Sequence, residues 1–83
     1  MVLTEKKLAK IFISILKIKK NYNIGKLRRI SEEKWDSLAH VNIIIAMESE
    51  FKISCLASEA ESITSYKSAR MFLEKKLKKV KKR

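Results

Sequence analysis

The sequence predicts an all-α protein: a four-helix bundle with three longer helices, one short one, and a long loop between helices 1 and 2. Three observations lead there. The chain has no proline and a single glycine, Gly25, so it lacks the turn punctuation that successive strands need. It is rich in Leu, Ile, Ala, Lys and Glu, residues that favour helices or tolerate them well. Apolar residues also recur at helical spacing in separate stretches. A length of 83 residues leaves room for one domain, spanning 1–83, and one modest core.

The first helix is expected to begin near Thr4, which can cap it, with Glu5 in the favourable first turn. Leu8, Ile11, Phe12, Ile15 and Ile18 make its apolar stripe, with Lys6, Lys7, Lys10 and Lys17 largely off it. It should stop around 19–21. A connection from Lys20 to Lys34 follows, with Tyr22, Ile24, Leu27 and Ile30 available to pin it to the core. A loop of that length in a small domain points to internal packing or to function.

The second helix is expected to start at or beside Ser37 and run to about Lys52. On a helical wheel Ile43, Ala46, Met47 and Phe51 share one side, the natural core face. Leu38, Val41 and Ile45 lie on the opposite side with Glu48 beside them. Such a helix is either buried all round or carries an interface, and a chain this small cannot surround it. A short third helix is expected over Ala57–Ser62, with capping-box spacing at Ser58 and Glu61. The last helix should start near Ser65 and present Ala69, Phe72, Leu73, Leu77 and Val80 on one face, ending in a basic C-terminal extension at about 78–83.

Composition excludes several function classes. One cysteine, Cys55, rules out an internal disulfide and fits a reducing compartment. One histidine and one cysteine make no metal-ligand set, and neither a nucleophile–base–acid set nor a Gly-rich phosphate loop is present. His40 reads as a polar tip packed on the core side, Cys55 as a small semi-buried filler, and Trp35 as a hydrophobic staple. The longest apolar run, Ile43 to Met47, is too short to span a bilayer, and Ile11 to Leu16 lacks the flanks of a secretory signal. The expectation is a soluble, cytoplasmic protein without catalytic activity of its own.

The formal net charge is +11, distributed unevenly. Between Trp35 and Ser65 a single basic residue, Lys52, faces five acidic ones, giving −4, while the flanks hold 19 basic and four acidic residues, or +15. No helix-turn-helix, zinc finger or RNP motif accompanies that charge, and the aromatic residues do not interleave with the basic clusters.

The order Trp35-Asp36-Ser37-Leu38, followed at once by Val41 through Phe51, resembles the cofactor-attachment site of acyl carrier proteins. Ile53 and the run Ala60 to Ser65 also look like that family's third-helix region. The resemblance implies an acyl-carrier-type bundle and a discrete carrier. It implies that 4′-phosphopantetheine is attached to Ser37 by a phosphopantetheinyl transferase using coenzyme A and Mg²⁺, with Asp36 helping to hold that metal. Acyl intermediates would ride on the arm as thioesters, loaded by a ligase or synthase and passed to acyltransferases, in lipid metabolism such as fatty acid biosynthesis. Leu38, Val41, Ile45 and Glu48 would be the partner-binding residues, and the carrier would act as a monomer. Two departures point away from a housekeeping role and toward a specialised lipid or secondary-metabolite pathway. Glu33-Lys34-Trp35 stands where many fatty-acid-type carriers have Leu-Gly, and Ala39, Asn42 and Ser49 replace frequent carboxylates. The alternative is a degenerate carrier fold whose basic ends bind nucleic acid or an anionic membrane surface by counterion release and long-range attraction.

Overall fold

Leu8, Phe12 and Leu16 stand four residues apart on one helical line and are all fully buried. They anchor the computed structural model, which describes residues 2–19 and 22–81, with side chains over 4–19 and 22–77. The described residues form four α-helices and no strand: α1 (Val2–Leu16), α2 (Ser37–Phe51), α3 (Ala57–Ser62) and α4 (Tyr66–Lys81). A Cα radius of gyration of 12.1 Å matches the roughly 12 Å expected of a compact chain of this length. None of the described helices is long and apolar enough to cross a membrane.

Helix α1 already runs from Val2, so Thr4 lies within it and does not cap it. Its other end falls at Leu16, short of 19–21, because Lys17 turns into the left-handed region with φ 55°. The Lys34 ammonium donates to the Lys17 carbonyl at 3.3 Å, satisfying one acceptor at that helix end. Ile11, Ile15 and Ile18 pack partly buried against the core, as their spacing predicts.

The long connection is folded back on the protein. Two 3₁₀ turns, Ile24–Lys26 and Arg29–Ser31, flank Leu27, which is fully buried. The Arg29 amide donates to the Thr64 carbonyl at 2.8 Å and the Tyr66 amide to the Leu27 carbonyl at 3.0 Å. These bonds make an isolated antiparallel bridge between Arg28 and Ser65. Only two of the four expected pins hold: Leu27 and, half-buried, Ile24. Tyr22 is exposed and Ile30 is 88% exposed, because the clip to Thr64 holds the loop through its backbone and leaves the second turn facing out.

Helix α2 ends as Lys52 adopts the left-handed region, φ 54°, with its amide and that of Ile53 both donating to the Glu48 carbonyl. In α3 the expected Ser58–Glu61 box does not form. Leu56 occupies the cap position, so the residue three further on is Glu59, whose carboxylate accepts the Leu56 amide at 2.9 Å. Helix α4 starts where its sequence predicts. Ser65 accepts the Ser68 amide at 3.0 Å, and Ser68 reciprocates by accepting the Ser65 amide at 3.0 Å. The side chains of Val80, expected on the core face, and of the basic residues over 78–83 lie outside the described side chains.

Phe12 organises the centre, meeting Trp35 and Tyr66 edge-on at ring-centroid distances of 5.2 and 5.3 Å, a favoured aromatic geometry. Ion pairs reveal the helix directions. Lys7–Glu50 at 3.3 Å joins the start of α1 to the end of α2, and Lys34 reaches Lys17 at the other end, so α1 and α2 are antiparallel. Arg70–Glu5 at 3.7 Å places the second turn of α4 beside the start of α1, while Tyr66 sits against Phe12 further along α1. The head of α2 and the last turns of α4 therefore lie toward opposite ends of the molecule.

Candidate functional site

The backbone turns into α2 at Asp36, an extended residue whose carboxylate Oδ1 accepts the Ala39 amide at 2.9 Å. Its carbonyl accepts the His40 amide, also at 2.9 Å. Asp36 is thus the N-cap, and Ser37 is the first residue of the helix. Ser37 therefore does not cap the helix: the capping position belongs to its neighbour. Ser37 is exposed, and its hydroxyl makes no hydrogen bond to a described residue. The amides of Ser37 and Leu38 likewise have no partner among the described residues, as befits the first turn of a helix.

The base of this turn is wired into the core. Trp35 precedes the cap and His40 is the fourth residue of the helix, the two positions that a hydrophobic staple joins. Their rings stack, with centroids 6.0 Å apart and an interplanar angle of 27°. The Trp35 indole Nε1 donates to His40 Nδ1 at 2.9 Å. Because indole nitrogen is only a donor, Nδ1 must keep its lone pair and Nε2 carries the hydrogen, which it donates to the Ala60 carbonyl at 2.8 Å. One side chain therefore ties the loop, α2 and α3 together. Sequence reasoning placed Trp35 and His40 correctly but missed their bond; the staple spacing of 35 and 40 was the available signal.

Beyond Ser37 the helix is apolar on two opposite faces. Ala39, His40, Ile43, Ile44 and Met47 are buried. Leu38, Val41 and Ile45 are 71%, 51% and 56% exposed. The exposed track leading from Ser37 thus passes through Val41 and Ile45, while Ile44 faces the core. Ala46 and Phe51 border the core face, half-buried. Ser37 and the three exposed apolar residues form one continuous surface.

No family model matches the chain, and no curated protein matches it.

Glu48 stands at the edge of that surface, half-buried, with Oε2 accepting the Cys55 amide at 2.9 Å. It holds the segment that leads into α3, a contact that spacing in sequence does not announce. Burial pushes the Cys55 thiol up, the nearby Glu59 and Glu48 carboxylates push it further, and the Lys76 ammonium opposes them. A thiol held protonated is a poor nucleophile, which agrees with a filler role. A shallow groove between α1 and α2, floored by Ile11, Ile15 and Ala46, opens near Lys7 and Glu50, away from Ser37.

Proposed function

We propose that this protein is a discrete acyl carrier modified at Ser37 with 4′-phosphopantetheine. The single observation that supports the reading most is the division of labour at the head of α2. Asp36 takes the cap, so Ser37 is left with an exposed, unengaged hydroxyl at the top of an exposed apolar surface. A serine needed only for stability would sit one residue earlier and spend its oxygen on the helix.

The surroundings also fit the group. A phosphodiester on Ser37 would meet the amides of Ser37 and Leu38 and the positive end of the α2 dipole. The arm supplies a thiol that bears acyl groups as thioesters; the chain supplies its attachment point and the surface that partners read. The Ser37 hydroxyl, giving up its proton, would form the new ester bond to the phosphorus of the phosphopantetheinyl group. The pyrophosphate bond of coenzyme A breaks and 3′,5′-bisphosphoadenosine leaves, in a reaction run by a separate transferase. Asp36 remains exposed beside it, so it can assist that enzyme's Mg²⁺ while its Oδ1 stays with Ala39. Leu38, Val41 and Ile45 form the apolar contact for partner enzymes, and Glu48 bounds it.

The test is intact mass after incubation with coenzyme A, Mg²⁺ and a broad-specificity phosphopantetheinyl transferase. The expected result is a gain of one phosphopantetheine in the parent chain and none in Ser37→Ala. Absence of any gain in folded parent protein across several transferases would leave a carrier-like fold without the carrier function.

A further inference from the structure

We propose that the outer face of α4 is a docking surface for an anionic lipid bilayer. Lys67, Met71 and Lys75 stand at i, i+4 and i+8, so they share one line along the helix. Both lysines are exposed and Met71 is 56% exposed. The cations on neighbouring rows are spoken for: Arg70 meets Glu5 and Glu74, and Lys76 meets Glu59. Lys67 and Lys75 have no ion pair among the described residues. From Tyr66 onward the sequence holds nine basic residues and one acidic one, Glu74, so the helix and the chain beyond it carry +8.

Three features favour a bilayer over other anionic partners. Seven of those nine cations are lysines, compact point charges suited to a diffuse anionic surface, whereas fixed carboxylate or phosphate recognition calls for the arginine fork. An exposed methionine between two lysines offers an apolar side chain to the headgroup boundary, as amphipathic helices at membranes do. The only aromatic residue of α4 beyond its first residue is Phe72, which is half-buried under the Lys76 ammonium 5.5 Å from its ring centre. It gives nucleic-acid bases nothing to stack on.

The arrangement of the helices makes such docking compatible with work at Ser37. Arg70 lies beside Glu5, and α4 runs on from there past Lys76, whose partner Glu59 also binds the Leu56 amide. The neighbouring Cys55 amide binds Glu48, eleven residues along α2 from Ser37, or about 16 Å of helix. Arg70 places α4 beside the start of α1, where Lys7–Glu50 joins α1 to the last turn of α2, the end of that helix opposite Ser37. The surface does not depend on modification of that serine, so it stands or falls separately from the carrier reading.

Co-sedimentation of the unmodified full chain with vesicles tests it, at about 0.15 M salt where surface charges are screened beyond about 8 Å. One set of vesicles is phosphatidylcholine alone and the other phosphatidylcholine with phosphatidylserine at about 2:1. The protein should partition onto the second set and not the first. The double variant K67Q/K75Q should lose about 25-fold in partitioning, at about fivefold per lysine, while K67R/K75R retains it. Circular dichroism should be the same for all three proteins. Equal binding to both vesicle types, no binding to the anionic set, or an unchanged K67Q/K75Q would overturn the proposal. So would a duplex RNA that strips the protein from anionic vesicles at equal phosphate concentration, which would transfer the surface to nucleic acid.

Discussion

The two faces of α2 are built from the same residue types and live in opposite surroundings. Ile43 and Met47 are sealed between helices, while Val41 and Ile45, a turn away, stand in solvent. Hydropathy cannot separate them; position around the helix does, and the placement of α1, α3 and α4 seals one of the two faces. The lesson is that the buried face accounts for the fold, and the exposed face has no fold-level reason to be apolar. Three adjacent solvent-facing apolar side chains, headed by an unengaged serine, need another explanation, and contact with partners supplies one.

The largest expected effect breaks the symmetry of composition. Ile43→Ala should cost about 2–5 kcal/mol, the usual range for emptying a sealed isoleucine site. Ile45→Ala should stay within about 0.5 kcal/mol, because the side chain it shortens is already half in water. Urea unfolding followed by circular dichroism reads both. Equal destabilisation by the two variants would mean that the outer face is also part of the core. The carrier reading adds that Ile45→Ala should slow a partner reaction while leaving stability alone.

A smaller effect is expected where the buried face meets the turn. His40→Ala removes the acceptor for Trp35 and the donor to Ala60 at once, leaving two poorly hydrated polar groups unpaired. Each such orphan costs about 1–3 kcal/mol, so destabilisation near 2–4 kcal/mol is expected, less where water can reach the Ala60 carbonyl. Trp35 emission should shift to the red as its ring loses its seat. An unshifted spectrum and unchanged unfolding midpoint would remove the relay from the account of how the turn is held.

Apolar spacing made α1, α2 and α4 readable, while α3 was placed from a capping-box spacing at Ser58 and Glu61 and lies there although that box does not form. Helix ends were less readable. At Lys17 and Lys52 the chain leaves its helix in the left-handed region with no glycine to mark it, and at Leu56 a residue without a polar side chain holds the cap position. At Lys17 and Leu56 a side-chain contact accompanies the boundary, Lys34 on the Lys17 carbonyl and Glu59 on the Leu56 amide, while the end near Lys52 lies where the sequence placed it. The site was readable to the extent that it is local. Asp36, Ser37 and the exposed line through Val41 and Ile45 follow from position in one helix. The bonds of Glu48 to Cys55 and of His40 to Ala60 join elements that only the folded chain brings together, and no spacing rule encodes them.

The smallest effect separates two tasks that meet at Asp36. Its carboxylate caps the helix, and in the carrier reading its charge also serves the enzyme that modifies Ser37. Asp36→Ala should cost about 1 kcal/mol, the ordinary loss of an N-cap, and Asp36→Asn only a few tenths, because the amide oxygen still accepts from Ala39. Modification by a phosphopantetheinyl transferase should follow a different order. Asn keeps the cap and discards the charge, so a chemical role predicts that Asp36→Asn and Asp36→Ala lose transfer rate to a similar degree despite their unequal stabilities. If instead the rates track the unfolding midpoints, with Asn close to the parent, Asp36 acts only by shaping the turn. Ser37 would then owe its reactivity to exposure and to the free amides of the first turn, and the division of labour would lie wholly in geometry.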